Sequence, residues 1–242
     1  MIELRDLRKT LGDRQILKGM TFSVPTGKTY VLMGRSGCGK SVTLRHIIGI
    51  LRPDSGSVHV DGQEVTRLDS AGLMTLRRRM GYLFQNGALI NWLTVEENVA
   101  LPLQEHSGLD RSEVQDRVMS VLEMVGMTRA AKQYPTRISG GMKLRAGLAR
   151  ALITDPEYVL YDEPNAGLDP IMADQIHRLI NEVKERVGVT ALVVTHSRAC
   201  ALMVADIIGL TDDGVIVEEG SIESMSASEN SLIQHFLNAG VD

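Results

Sequence analysis

Two cysteines, Cys38 and Cys200, are all this chain has, so no disulfide framework can brace it and a reducing compartment such as the cytoplasm is the expected setting. No Cys/His cluster at metal-binding spacing occurs, which excludes zinc-bearing modules. No basic-then-apolar segment opens the sequence, and no apolar run approaches the ~20 residues that cross a bilayer, so a membrane role is expected to come through partners. A positive surplus is missing too. The formal net charge is −4 with signs interspersed, which makes no field to gather nucleic acid, and Arg77-Arg78-Arg79 reads as a solvated helix face. No internal repeat is visible. What is there is 43% hydrophobic content over 242 residues, enough to bury the core of one large domain or of one domain with a sub-lobe.

The stretch that organises the chain is Gly34-Arg35-Ser36-Gly37-Cys38-Gly39-Lys40-Ser41, between the apolar run Tyr30 to Met33 and a helix-like run, Val42 to Leu51. It reads as a phosphate-binding loop. Glycines at 34, 37 and 39 let the backbone turn so that N–H groups face a phosphate with no Cβ in the way, and the helix N-terminus adds positive dipole. Lys40 would reach the β- and γ-phosphates as a point charge, and the Ser41 hydroxyl would take one position on Mg²⁺. The thiol of Cys38, among N–H groups and beside Lys40, is expected to favour thiolate. Cys200 is expected in the core.

Upstream, Met1 to Lys9 and Gln15 to Val24 read as strands around a Gly12-Asp13 turn, and Ser57 to Val60 as a third strand between turn signals. After strand Met80 to Phe84 the pattern becomes helical. Thr94-Val95-Glu96-Glu97 and Asp110-Arg111-Ser112-Glu113 both spell a capping box, and Val114, Val118, Val121, Leu122 and Val125 recur at helical spacing. Strand Glu157 to Tyr161, helix Ile171 to Val187 and strand Thr190 to Thr195 return to the alternation that builds a parallel sheet. Near the end, strand Val215 to Glu219 leads to Leu232, Ile233, Phe236 and Leu237 on one helical face.

A second carrier of chemistry is Tyr158-Val159-Leu160-Tyr161-Asp162-Glu163-Pro164, an apolar strand ending in two acids. Strand alternation is expected to separate their tasks: Asp162 would hold Mg²⁺ through water or by orienting its ligands, and Glu163 would point toward a water aligned and deprotonated for in-line attack on the γ-phosphorus.

Ile138-Ser139-Gly140-Gly141-Met142 then resembles the signature of ATP-binding cassette (ABC) ATPases. Gln85 resembles the Q-loop glutamine, Ala166-Gly167-Leu168-Asp169 the D-loop, and His196 the switch histidine. The resemblance covers essentially the whole chain. It implies an α/β P-loop NTPase of ABC ATPase type with a β-rich N-terminal lobe, residues 1–85 and 156–242 forming the catalytic core and residues 86–155 a helical signature subdomain. It also implies a transport motor that dimerises head-to-tail around two ATP. Ser139, Gly140, Gly141 and Met142 of one subunit would close over the partner's ATP, and Asp169 would cross the interface. Gln85 would contact Mg²⁺ and the attacking water, and His196 the γ-phosphate.

Three positions depart from the family pattern: Leu11 stands where an aromatic commonly stacks on adenine, Val42 replaces a threonine after the loop serine, and Met142 replaces the usual signature glutamine. No Asn-Lys-x-Asp stretch selects guanine, so ATP is the expected nucleotide. The stretch Gln85 to Leu103 lies where the family receives its permease; there Leu89, Ile90 and Trp92 either line the coupling groove or pack under the sub-lobe. The wording Asn-Val-Ala-Leu-Pro-Leu (98–103) with Ser-Gly-Gly-Met (139–142) resembles the ATPases of Mla/Mce-type lipid transporters. That resemblance implies lipid movement in the bacterial cell envelope, integral-membrane permease partners, a Mce-type lipid-binding subunit, and a position on the inner face of the cytoplasmic membrane. The alternatives are a motor for a small-solute importer or exporter, and an ABC ATPase with no transport role.

Overall fold

The protein is described from a computed structural model covering residues 1–106 and 108–238. From the N-terminus, β1 (Ile2–Leu11), β2 (Arg14–Val24) and β3 (Thr29–Met33) precede helix α1 (Lys40–Ile47). Then come β4 (Ser55–Val60), β5 (Gln63–Glu64), α2 (Ser70–Arg78) and β6 (Met80–Leu83). The helical stretch is α3 (Val95–His106), α4 (Arg111–Met124) and α5 (Gly140–Leu152). It is followed by β7 (Tyr158–Asp162), α6 (Pro170–Val187), β8 (Thr190–Thr195) and α7 (Arg198–Val204). The end of the chain adds β9 (Ile207–Asp212), β10 (Val215–Gly220), α8 (Ile222–Ser226) and α9 (Ser231–Asn238). By contact, the chain forms two units, Met1–Leu76 with Thr190–Asp242, and Arg77–Val189.

In the first unit, β2, β1, β4 and β5 make an antiparallel sheet, and β3 runs parallel to both β8 and β9. All five residues of β3 are buried, as expected of a strand flanked on both sides by parallel neighbours. The register sets Met33 opposite both Thr195 and Leu210, so the segments leaving β3, β8 and β9 emerge side by side. Strand β9 lay outside the sequence expectations because Gly209 interrupts its apolar run. The glycine is there for Tyr30: a Cβ at 209 would collide with the Tyr30 ring, which stacks on Phe22 at 4.8 Å and donates its hydroxyl to Glu219 at 2.7 Å.

Helix α1 is shorter than expected, ending at Ile47 rather than Leu51. Gly49, at φ 67°, ends it: Gly49 N–H donates to the His46 carbonyl (3.0 Å) and Ile50 N–H to the Arg45 carbonyl (2.9 Å), a Schellman motif.

In the second unit, β6 and β7 pair in parallel, and α3, α4 and α5 pack together, with Val95, Val99, Val118, Leu122, Leu144 and Leu148 buried on them. Both capping boxes form. Asp110 Oδ1 accepts from Ser112 and Glu113 N–H while Glu113 accepts from Asp110 N–H, and Thr94 and Glu97 reciprocate in the same way.

Tyr161 on β7 is fully buried, and that burial holds its phenol well above the ordinary pKa; its hydroxyl has no hydrogen-bond partner among the described residues. An unpaired buried hydroxyl is a net cost. Tyr161→Phe is therefore expected to stabilise the protein by about 1 kcal/mol in equilibrium urea unfolding; a loss of stability would show that the hydroxyl is satisfied.

Candidate active site

The phosphate loop begins where β3 ends. Gly37 and Gly39 take φ 82° and 101°, the left-handed region that a side chain disfavours. Gly34 serves differently: its φ is ordinary, but a Cβ there would strike the Thr211 carbonyl of β9. The loop is also tied to β8, Gly34 N–H donating to the Thr195 carbonyl at 3.3 Å. His196, one residue beyond β8, is exposed beside this junction. Lys40 is buried, and its Nζ donates to the carbonyls of Gly34 (2.8 Å) and Arg35 (3.0 Å), so the loop's cation already sits inside the loop. Ser41 follows on the first turn of α1, and Val42 is half-buried behind it.

Beside the loop lies a cavity of about 200 Å³, walled by Arg14, Gln15 and Ile16 of β2, by Arg35, Ser36, Gly37 and Cys38, and by the Asp212–Gly214 turn. Leu11, 40% exposed at the end of β1, is not in this wall; Arg14, Gln15 and Ile16 are the β-hairpin residues that line it. Cys38 corrects a sequence expectation. It is 8% exposed, and burial raises its pKa more than Lys40 and the loop N–H groups lower it, while Asp212 pushes the same way as burial. The thiol form is favoured.

In the second unit the two acids end β7. Glu163 does not continue the strand: its φ is 49°, rare for a residue with a side chain, and Ala166 N–H closes the turn onto its carbonyl at 3.1 Å. A left-handed turn, rather than strand alternation, separates Glu163 from Asp162, and such strain collects at functional sites. Asp162 accepts a hydrogen bond from the Tyr82 hydroxyl at 3.0 Å, a partner that the sequence reading missed because it lies 80 residues upstream.

Gln85 is exposed in the turn that follows β6. The next residues are fastened to α5: Arg150 donates to the Gly87 and Ala88 carbonyls, both at 2.8 Å, and Gly87 packs against the backbone of Lys143 and Gly147 so closely that a Cβ would not fit. At the other end of α5, Ser139 and Gly140 are exposed, and Ser139 Oγ accepts Met142 N–H at 3.3 Å as the N-cap. The hydroxyl keeps its own proton for another acceptor. Gly141 is buried against Met172. Asp169 caps α6, its Oδ1 accepting from Ile171 and Met172 N–H, both at 3.0 Å.

Of the three apolar residues expected at a permease groove, Trp92 is 79% exposed, while Leu89 and Ile90 are half-buried. Their loop is organised by Asn98, fully buried on α3. Its amide donates to the Ile90, Leu93 and Thr94 carbonyls at 2.9–3.1 Å, and its oxygen accepts Ile90 N–H at 2.6 Å. Four bonds from one side chain hold the segment that displays Trp92.

Among the described residues, no three His, Cys, Asp or Glu gather as a metal cage. Mg²⁺ does not need one: it takes oxygen ligands, keeps several waters, and is held by one or two side chains together with substrate phosphates. The Ser41 hydroxyl and Asp162 carboxylate are donors of that kind.

The raised Cys38 pKa gives a pH test. Alkylation of a Cys200→Ala variant by iodoacetamide is expected to be slow at pH 7 and to climb about tenfold per pH unit past the ordinary thiol pKa of ~8.5, because only the thiolate reacts. A rate that levels off below pH 7.5 would contradict the burial argument.

A sequence model of the ABC transporter family matches residues 17–166. The chain is 40% identical over 237 residues to the probable ribonucleotide transport ATP-binding protein Mkl of Mycobacterium leprae, covering 98% of this chain and 68% of that protein. It is 39% identical over 242 residues to the intermembrane phospholipid transport system ATP-binding protein MlaF of Escherichia coli, covering 100% of this chain and 90% of that one. Among solved structures, the dimeric post-hydrolysis state of the ATP-binding cassette MJ0796 bound to ADP and phosphate superposes with a TM-score of 0.83 at 32% identity, covering 92% of this chain and 99% of that one. The chain therefore belongs to the ABC transporter family and is an ATP-hydrolysing cassette of it.

Proposed function

We propose that this cassette drives lipid transport in the bacterial cell envelope, as a head-to-tail homodimer on the inner face of the cytoplasmic membrane beneath integral-membrane permease subunits and a Mce-type lipid-binding subunit. The observation that carries the lipid reading is the 39% identity to the phospholipid transport protein MlaF, which runs across the whole of this chain. No helix among the described residues is long and apolar enough to cross a membrane, which fits a motor that reaches the bilayer through partners.

In the proposed cycle, the loop N–H groups bind the phosphates and Lys40 exchanges the Gly34 and Arg35 carbonyls for phosphate oxygens. Mg²⁺ bound by Ser41 and Asp162, with Gln85 nearby, would screen the phosphate charge. Glu163 takes the proton of the attacking water, and His196 holds the γ-phosphate. Exposed Ser139 and Gly140 at the positive end of α5 offer the partner's nucleotide a hydroxyl and unobstructed N–H groups. Each nucleotide then touches two subunits, so hydrolysis loosens the dimer and Trp92 passes the change to the permease.

The 40% identity to a probable ribonucleotide transport protein favours one second reading, a motor for a small polar solute. The two readings separate in the assembled complex. Reconstituted with its membrane subunits in nanodiscs, the complex is expected to show ATPase activity that responds to phospholipid. Trp92→Ala and Leu89→Asp should each lower that response by about tenfold, as for a buried aromatic anchor, with MgATP affinity nearly unchanged. Activity that answered a soluble nucleotide and ignored lipid would establish the second reading.

A further inference from the structure

Tyr82 lies on β6 in register with Leu160 of β7. Side chains two apart on a strand share a face, so Tyr82 faces the same side of the sheet as Leu160 and Asp162 on the neighbouring strand, while Phe84 lies one residue past the end of β6. Its hydroxyl reaches along the sheet to donate to Asp162 Oδ2 at 3.0 Å, and its ring rests against Phe84 with centroids 4.3 Å apart at 36°. Tyr82 and Asp162 are both half-buried, whereas Phe84 is 42% exposed and immediately precedes Gln85. A carboxylate at a strand end can turn about its last torsion; a hydroxyl fixed on one oxygen stops that turn.

We propose that Tyr82 is a positioning residue for Asp162, holding the carboxylate in the orientation that receives Mg²⁺, and that the Phe84 ring sets the place of Tyr82. The inference rests on the reading of Asp162 as a Mg²⁺-binding acid. It gives the exposed ring next to Gln85 a physical line to the metal site: whatever covers or shifts Phe84 moves the ring that carries the Asp162 hydrogen bond.

The test titrates Mg²⁺ against the full-length protein with a fluorescent ATP analogue, reading binding rather than turnover. Tyr82→Phe keeps the ring and removes only the hydroxyl. It is expected to raise the Mg²⁺ concentration for half-maximal metal-dependent binding by about tenfold, the lower end of the effect of removing an outer partner of a metal ligand, with metal-free nucleotide affinity unchanged. Phe84→Ala, which keeps the hydroxyl but frees the ring, is expected to give a smaller shift in the same direction. In an Asp162→Asn background, Tyr82→Phe should add nothing, because its effect passes through the carboxylate. Three results overturn the proposal, and they are distinguishable. If Asp162→Asn alone leaves the Mg²⁺ titration unchanged, the reading of Asp162 fails. If Asp162→Asn weakens Mg²⁺ but Tyr82→Phe does not, only the role of Tyr82 fails. If Tyr82→Phe shifts the titration equally with and without the Asp162 carboxylate, Tyr82 acts by another route.

Discussion

Backbone amides can surround a phosphate only where no Cβ stands between them, and this requirement governs the first unit. Gly37 and Gly39 adopt backbone angles that side chains disfavour, and Gly34 presses against the Thr211 carbonyl. The parallel pairing of β3 with β8 and β9 holds the loop in place, since it brings the ends of all three strands level. Ligands in open α/β sheets gather at such carboxyl ends. Lys40 completes the arrangement. Its ammonium donates to two carbonyls of its own loop, which offsets the cost of burying that charge.

The second unit is governed by close backbone approach. Gly87 meets Gly147 and Lys143 of α5 without room for a side chain, and Arg150 grips the Gly87 and Ala88 carbonyls, its guanidinium largely desolvated and its pKa lowered by that burial. The turn that carries Gln85 and the helix that presents Ser139 and Gly140 are therefore joined by packing as well as by hydrogen bonds, and a displacement of either loads the other. Asn98 does for the Trp92 loop what Arg150 does for the Gln85 turn. In both cases, a single side chain satisfies loop backbone groups that would otherwise be stranded.

Local chemistry was legible in the sequence. The loop glycines, both capping boxes and the strand before Asp162 rest on residues within a few positions of each other, and that strand formed one residue later than expected. Properties set by distant neighbours were not legible. The charge state of Cys38 depends on burial that its neighbours in sequence do not reveal, and Lys40 beside it suggested the opposite. Glu163 was expected to follow strand alternation, but the turn at Pro164 begins one residue earlier. Gly209 reads as an interruption until Tyr30 is seen across it, and Tyr82 is ordinary until its hydroxyl is found on Asp162.

The central claim is that Glu163 draws the proton from water while nucleotide holds two cassettes together. Its most direct test is the mass and chemistry of Glu163→Gln in saturating MgATP, measured by light scattering and single-turnover phosphate release, because the amide fills the space of the acid but is a far weaker base. The account predicts a stable dimer with ATP intact. A protein that stays monomeric with ATP bound, or that releases phosphate at the wild-type rate, would contradict it.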